Sequence, residues 1–316
     1  MSNGKQSIPC RKAFTDTLIR LAADNPDIMV VTSDARGSVT LNDYANRYPE
    51  QFVEVGIAEQ NEIGIAAGIA SFGKKVFVCA PACFLSTRSL EQIKVDVVYS
   101  NNGVKVVGIS GGVSYGALGF SHQSLHDIAV MRTFPNMSVI IPADRFQTEA
   151  ITEWMTRTEG PVYVRMGRAA VPDVYTSADG SFTFGKANVL SPGSDITVIA
   201  SGEMVEKALK ASQILETDNV SMRVIDMHTI KPLDREVIVA AAKETKAIIT
   251  VEEHSIFGGL GAAVAEVVVS EHPVPMKILG IPDEIPIEGE SKDVFRHYNL
   301  TPEGIAKIAH QMLQKT

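Results

Sequence analysis

Residues 54–73 read EVGIAEQNEIGIAAGIASFG, and two carboxylates, Glu59 and Glu62, enter this otherwise apolar run one helical turn apart. Acids at the start of a helix complement the positive end of its dipole. A carboxyl drawn out of water can also hold a proton near neutrality and pass it on. Spacing alone leaves both readings open. A second candidate is His122, the ionisable group of the loop GGVSYGALGFSH (111–122). The four glycines of that loop do not follow GxGxxG, and GxxxxGK[ST] is absent from the chain, so a nucleotide-phosphate loop is not indicated. A glycine-rich loop after a strand can line a cleft, or simply expose its histidine to solvent. His126 and Asp127 follow at helical spacing, but no GxSxG passes directly from a strand into a helix as a nucleophile elbow does, so they do not make a serine-hydrolase set. Arg165 and Arg168 lie at and after VYV, a place suited to gripping a phosphate or carboxylate and equally suited to ion pairing.

The elements that must position these residues are legible as alternating patterns. Strand candidates are 28–34, 75–80, 104–110, 137–143 and 161–167, with helices near 11–24, 58–72, 86–100, 124–133 and 144–157. β-branched runs alternating with helices predict a parallel sheet covered on both faces. Pro161 and Asp144 read as turn and cap residues. The pattern lapses over 169–186 and resumes with strands at 195–201, 220–226, 246–253 and 275–281 and helices near 203–217, 234–244 and 259–271. The last helix is predicted to start with Thr301 as cap and Pro302 at its first position. The fold class is therefore α/β, with two parallel or mostly parallel sheets. Ligands on such sheets sit beyond the carboxyl ends of the strands.

Composition sets outer limits. A chain of 316 residues with 45% hydrophobic and 21% charged content suits two globular domains with ample core. A net charge of −8 argues against nucleic acid or an anionic membrane as partner. The start, MSNGKQSIPCRKAF, lacks an apolar signal core, and no run reaches the ~20 apolar residues of a membrane span. A cytoplasmic protein is expected. Cys10, Cys79 and Cys83 are too few and too irregular for a disulfide framework or a metal site, and read as buried free thiols.

Taken in order, EVGIAEQN, FLSTRSLEQIKVDV, SHQSLHDIAVMRTFPNMSVIIPADRFQTEA and PVYVRMGR resemble the pyrimidine-binding domain of the transketolase family. IDMHTIKPLD, VEEHSIFGGLGAAVAE and ESKDVFRHYNLTPEGI are similar to the C-terminal domain of transketolase and of deoxyxylulose-phosphate synthase. The resemblance spans the chain and implies a pyrimidine-binding domain over 1–170, a linker over 171–188 and a C-terminal domain over 189–316. It implies thiamine diphosphate as cofactor and assigns Glu59 to the aminopyrimidine ring, where a buried, protonated carboxyl beside Ile57, Ala58 and Ile63 favours the imino tautomer. Glu62 is left a structural role. It further implies that His122 approaches the substrate, that Arg168 contacts the far anionic end of a sugar, that Phe84 packs near the pyrimidine, and that Asp34 is a cleft acid.

The family's GDG motif, which holds the diphosphate and its Mg2+ or other divalent metal, does not occur here. The resemblance is thus to the C-terminal subunit of a split enzyme, active only with a partner chain carrying GDG and moving a two-carbon ketol unit between sugars. No metal ligands are expected on this chain. The small residues Gly64, Ala67, Gly68 and Ser71 suggest a homodimer through the first domain, hence a heterotetramer. The rivals are the β subunit of a 2-oxo acid dehydrogenase decarboxylase and a non-catalytic scaffold subunit of the same fold. Ser110 and Leu118 stand where many transketolases carry a histidine and an aspartate toward the sugar, which predicts an unusual donor.

Overall fold

The computed structural model describes residues 7–315. Residues 1–6 of the polar start discussed above lie outside them. Fourteen strands are formed among the described residues, in chain order: β1 Ile8–Pro9, β2 Ile28–Thr32, β3 Phe52–Glu54, β4 Lys75–Pro81, β5 Lys105–Ile109, β6 Ser138–Ile140, β7 Val162–Met166, β8 Ala170–Val171, β9 Asn188–Ser191, β10 Ile196–Ala200, β11 Met222–Asp226, β12 Thr229–Lys231, β13 Ile248–Ser255 and β14 Met276–Ile281. Seven make one sheet in the order β12-β6-β7-β5-β4-β2-β3, and five make a second in the order β14-β13-β10-β11-β9. All pairings in the first sheet are parallel except β12 on β6. In the second sheet only β9 on β11 is antiparallel. The expected α/β class with two mostly parallel sheets is what forms. β1 and β8 add a two-stranded antiparallel ribbon.

The central strands β5, β7 and β10 are buried at every position, as strands covered on both faces must be. One apolar core fills the first sheet and continues onto one face of the second, through Ile199, Ile225 and Val264. A separate core packs helices Met204–Glu216 and Pro302–Leu313 on the other face. Thr301 caps that last helix by accepting from the Gly304 N–H, with Pro302 at its start. Asp144 caps Arg145–Arg157 by accepting from Gln147 N–H.

Several expectations need correction. Helix 86–100 is instead a run that begins at Ala82 (Ala82–Arg88, Leu90–Gln92) and ends in π-helical turns over Ile93–Tyr99. Helix 124–133 starts only at Asp127, because Ser124 is held in an extended bridge to Gly112. The small-residue face is split. Gly64, Gly68 and Ser71 are exposed, whereas Ala67 is buried in the chain's own core. Residues 172–187 form neither helix nor strand, yet they are fastened down: Tyr175 Oη donates to Asp226 at 2.6 Å, and Phe184 stacks on Trp154.

Candidate active site

The parallel strands of the first sheet end on the same edge, and the segments that follow four of them, β2 to β5, line a pocket. After β2 the chain turns at Asp34, which takes the left-handed conformation (φ 52°). That turn is fixed from β3: the Glu54 carboxylate accepts from Asp34 N–H at 2.7 Å and Gly56 N–H at 3.1 Å. Five residues past Glu54, Glu59 opens the helix Glu59–Ser71, whose N-terminal residue Ala58 offers no side-chain cap. After β4 comes the helix bearing Phe84 and Arg88. After β5 comes Ser110, a second non-glycine residue at positive φ (62°), and then the glycine loop with Tyr115 and His122. After β7 comes Arg168. Non-glycine residues in this backbone region cost energy that packing must offset, and they gather at functional sites.

The pocket has a volume of about 460 Å³ and is lined by Asp34, Glu59, Phe84, Tyr115, Leu118 and His122 among others. The structure therefore brings together Glu59, Phe84, Asp34 and His122. Arg168 is not in the lining; its guanidinium lies 4.5 Å over the Tyr115 ring, with Nη1 3.5 Å from Ser110 Oγ. His122 is caged edge-on between Phe84 and Tyr115, with centroids at 5.2 and 5.6 Å. Its Nδ1 lies 2.9 Å from Ser121 Oγ, and the residue lines the pocket. Glu59 is 5% exposed and accepts from Arg88 Nη1 at 2.8 Å. Ile63 is buried as expected, but Ile57 is 74% exposed and so does not help to desolvate Glu59. It stands at the pocket rim instead.

Glu62 is buried beneath Glu59 with neither carboxyl oxygen in a hydrogen bond of ordinary geometry among the described residues. Burial pushes its carboxyl up to about 8; the facing Ser33 hydroxyl pulls the other way, and the nearby Glu59 adds to the rise. Spacing alone did not distinguish which of the two acids would be the more desolvated.

The remaining candidates are structural. Arg165 is buried, 3.2 Å from Asp127, and donates to the Glu253 carbonyl at 2.5 Å. Asp127 accepts from Tyr163 Oη at 2.6 Å, so His126 and Asp127 form no hydrolase set. The three cysteines are free and buried, and burial pushes the Cys10 thiol up to about 12 and that of Cys83 to about 11. Three further site residues were not foreseen: Arg11, Ser38 and Arg88. Arg11 Nη1 donates to the Ser38 carbonyl at 2.6 Å, and Ser38 Oγ lies 3.3 Å from Tyr115 Oη. Burial and then the charge of Arg168 hold the Arg11 guanidinium below its ordinary value.

Comparison with known proteins decides what this arrangement belongs to. Residues 6–173 match the family model of the transketolase pyrimidine-binding domain, and residues 185–305 that of the transketolase C-terminal domain. The chain belongs to the transketolase family. It is 57% identical over 308 residues to a subunit of the apulose-4-phosphate transketolase of Phocaeicola vulgatus, covering 98% of each chain. It is 31% identical to human transketolase, of which it covers 49%. Among solved structures it superposes on "Split gene transketolase, inactive beta4 tetramer" with a TM-score of 0.88 and 39% identity, covering 98% of this chain and 99% of that one. The transketolase homology thus extends over both sheets, and the chain spans about half the length of human transketolase.

Proposed function

We infer that the chain is the C-terminal subunit of a two-chain transketolase, which moves a two-carbon ketol unit from a ketose to an aldose. The observation that carries this reading is the single pocket in which a buried carboxyl, an aromatic ring and a caged histidine converge at the strand carboxyl ends. On this reading residues up to 170 are the pyrimidine-binding domain, 171–188 the connection and 189–316 the C-terminal domain. The free, buried thiols suit a reducing cytoplasm, and no helix among the described residues is long and apolar enough to cross a membrane.

The residues present fit one end of thiamine diphosphate. Glu59 offers a carboxyl to a ring nitrogen and Phe84 an aromatic face to the aminopyrimidine. The other end has no counterpart here, since no cluster of three or more His, Cys, Asp or Glu among the described residues is set to hold a metal. The diphosphate and its divalent ion are therefore assigned to a partner chain carrying GDG. When bound, the cofactor supplies the nucleophilic carbon and the electron sink for breaking and making the C–C bond.

This chain supplies position and protons. Glu59, buried at the helix start, offers its carboxyl to the ring nitrogen. His122, fixed through Nδ1 to Ser121, presents Nε2 to a substrate oxygen as donor or acceptor according to its tautomer. Asp34 lies across the pocket within reach of sugar hydroxyls. Arg168 over the Tyr115 ring, with Arg11 near enough to feel its charge, gives this side of the site a positive field suited to the anionic end of a sugar phosphate. Leu118 puts an apolar side chain in the lining where a hydroxyl-binding acid would sit, so the preferred donor differs there from common ketose phosphates. The relative named for apulose 4-phosphate makes that compound the donor to test first. A homodimer packed on the face of Gly64, Gly68 and Ser71, with two partner chains, completes the assembly.

Reconstitution with a GDG-bearing partner tests the reading. The wild-type complex is expected to transfer a ketol unit, with higher kcat/KM for apulose 4-phosphate than for xylulose 5-phosphate. Glu59→Gln should lower kcat by about 10²–10⁴, the usual worth of a positioned proton donor. Undiminished turnover by that variant would exclude Glu59 from the chemistry.

A further inference from the structure

Arg88 is not used by the mechanism above, yet it lines the pocket beside Glu59 and Phe84. It ends the helix Ala82–Arg88, and its side chain is half exposed. Its Nη1 donates to Glu59 Oε1 at 2.8 Å, and its guanidinium carbon lies 4.3 Å from the centroid of the Phe84 ring. These are the same two groups that the reading above assigns to the aminopyrimidine. A guanidinium resembles that ring in the features that matter here. It is planar, it stacks on an aromatic face, and it presents N–H donors along its edge to a carboxylate.

We propose that Arg88 is a built-in occupant of the aminopyrimidine subsite, holding Glu59 and the face of Phe84 until the cofactor ring displaces it. The inference rests on that reading of the cofactor site and goes beyond it by assigning a competitor within the chain. Its physical logic has two parts. An empty pocket would leave the Glu59 carboxylate buried and unpaired, which is costly; Arg88 removes that cost in the unloaded chain. The same contact is easily surrendered, because a half-exposed arginine regains water when it swings out. Cofactor entry is then an exchange of one planar donor for another. The ring must outcompete Arg88, and the diphosphate grip of the partner chain provides the surplus.

The test is equilibrium binding of thiamine diphosphate with Mg2+ to the reconstituted complex, measured by calorimetry. Arg88→Met keeps the apolar stem and removes the planar donors; Arg88→Lys keeps the charge without the plane. Folding of each variant is checked by its melting temperature, and assembly by sedimentation. The expected result is about 5- to 20-fold tighter binding and faster association for Arg88→Met, with Arg88→Lys between it and wild type. Equal affinity would show that Arg88 does not compete, and weaker affinity would make it part of the loaded site; either overturns the proposal. Glu59→Gln and Phe84→Ala measured alongside separate the two levels of inference. If both leave cofactor affinity intact, the pyrimidine subsite lies elsewhere and the proposal falls with it. If both weaken binding while Arg88→Met is unchanged, the site stands and only the occupant is rejected.

Discussion

At the scale of single residues, the stacked pair Glu59 and Glu62 shows how burial and partners divide two like side chains. Glu59 has a cation beside it and reaches the pocket, whereas Glu62 has neither. The folded-state carboxyl of Glu62 keeps its proton to about pH 8, while an unfolded glutamate loses it near 4.5. Between those values the folded chain binds the extra proton, so the Glu62 contribution to stability is full below about pH 4.5 and is lost as pH rises through 8. Glu62→Gln, neutral at every pH, should therefore gain stability relative to wild type across that window, by on the order of a few kcal/mol at about pH 8. Asp226, Glu252 and Glu253 are raised by burial as well, so the informative quantity is the difference between the two melting curves. A difference that stays flat from about pH 5 to about pH 8 would contradict the assignment. Sequence reaches the residue scale unevenly. Glu59, Phe84, Asp34 and His122 were legible as neighbours in one pocket through the family resemblance that names them. Arg11, Ser38 and Arg88 were not, because their roles arise only when separate strand ends meet.

At the scale of elements, most of the architecture was written in buried β-branched runs such as IMVVT and KVVGI, which have no other stable home than a covered parallel sheet. What escaped were strands too short to show a period. β3, β9 and β12 have three or four residues each, and their identity depends on the edge they meet. The helix Arg145–Arg157 illustrates how one residue can hold several elements. Asp144 accepts from Gln147 N–H at 2.9 Å, Val174 N–H at 2.8 Å and Tyr175 N–H at 2.7 Å, so it caps the helix and pins the connecting segment at once. Its removal strands three backbone donors, two of them outside the helix. Asp144→Ala should cost about 3 kcal/mol or more in chemical denaturation, beyond the ~1 kcal/mol of an ordinary cap. The Thr301→Ala cap, which has a single partner, provides the reference, and equal losses at the two sites would refute the argument.

At the scale of the whole molecule, assembly and folding meet in two places. The first is the helix Glu59–Ser71, whose start forms the pocket and whose Gly64 and Gly68 face outward. A Cβ at Gly68 would meet nothing within 4 Å in the lone chain. Gly68→Leu should thus gain up to about 1 kcal/mol of helix propensity in the monomer, while blocking close approach of a second copy. Sedimentation is expected to show a dimer for wild type and a monomer for the variant; a dimeric Gly68→Leu would move the interface elsewhere. The second place is β12, which leaves the later half of the chain to pair with β6. During synthesis the first sheet emerges with its β6 edge bare, and that edge is sealed only once Lys231 has left the ribosome. Unpaired strand edges invite wrong partners, so for that interval the nascent chain carries an open template. The dependence also orders the possible breakpoints in the gene: a cut between the two sheets would divide a sheet from its own border strand, and neither product could close that edge alone.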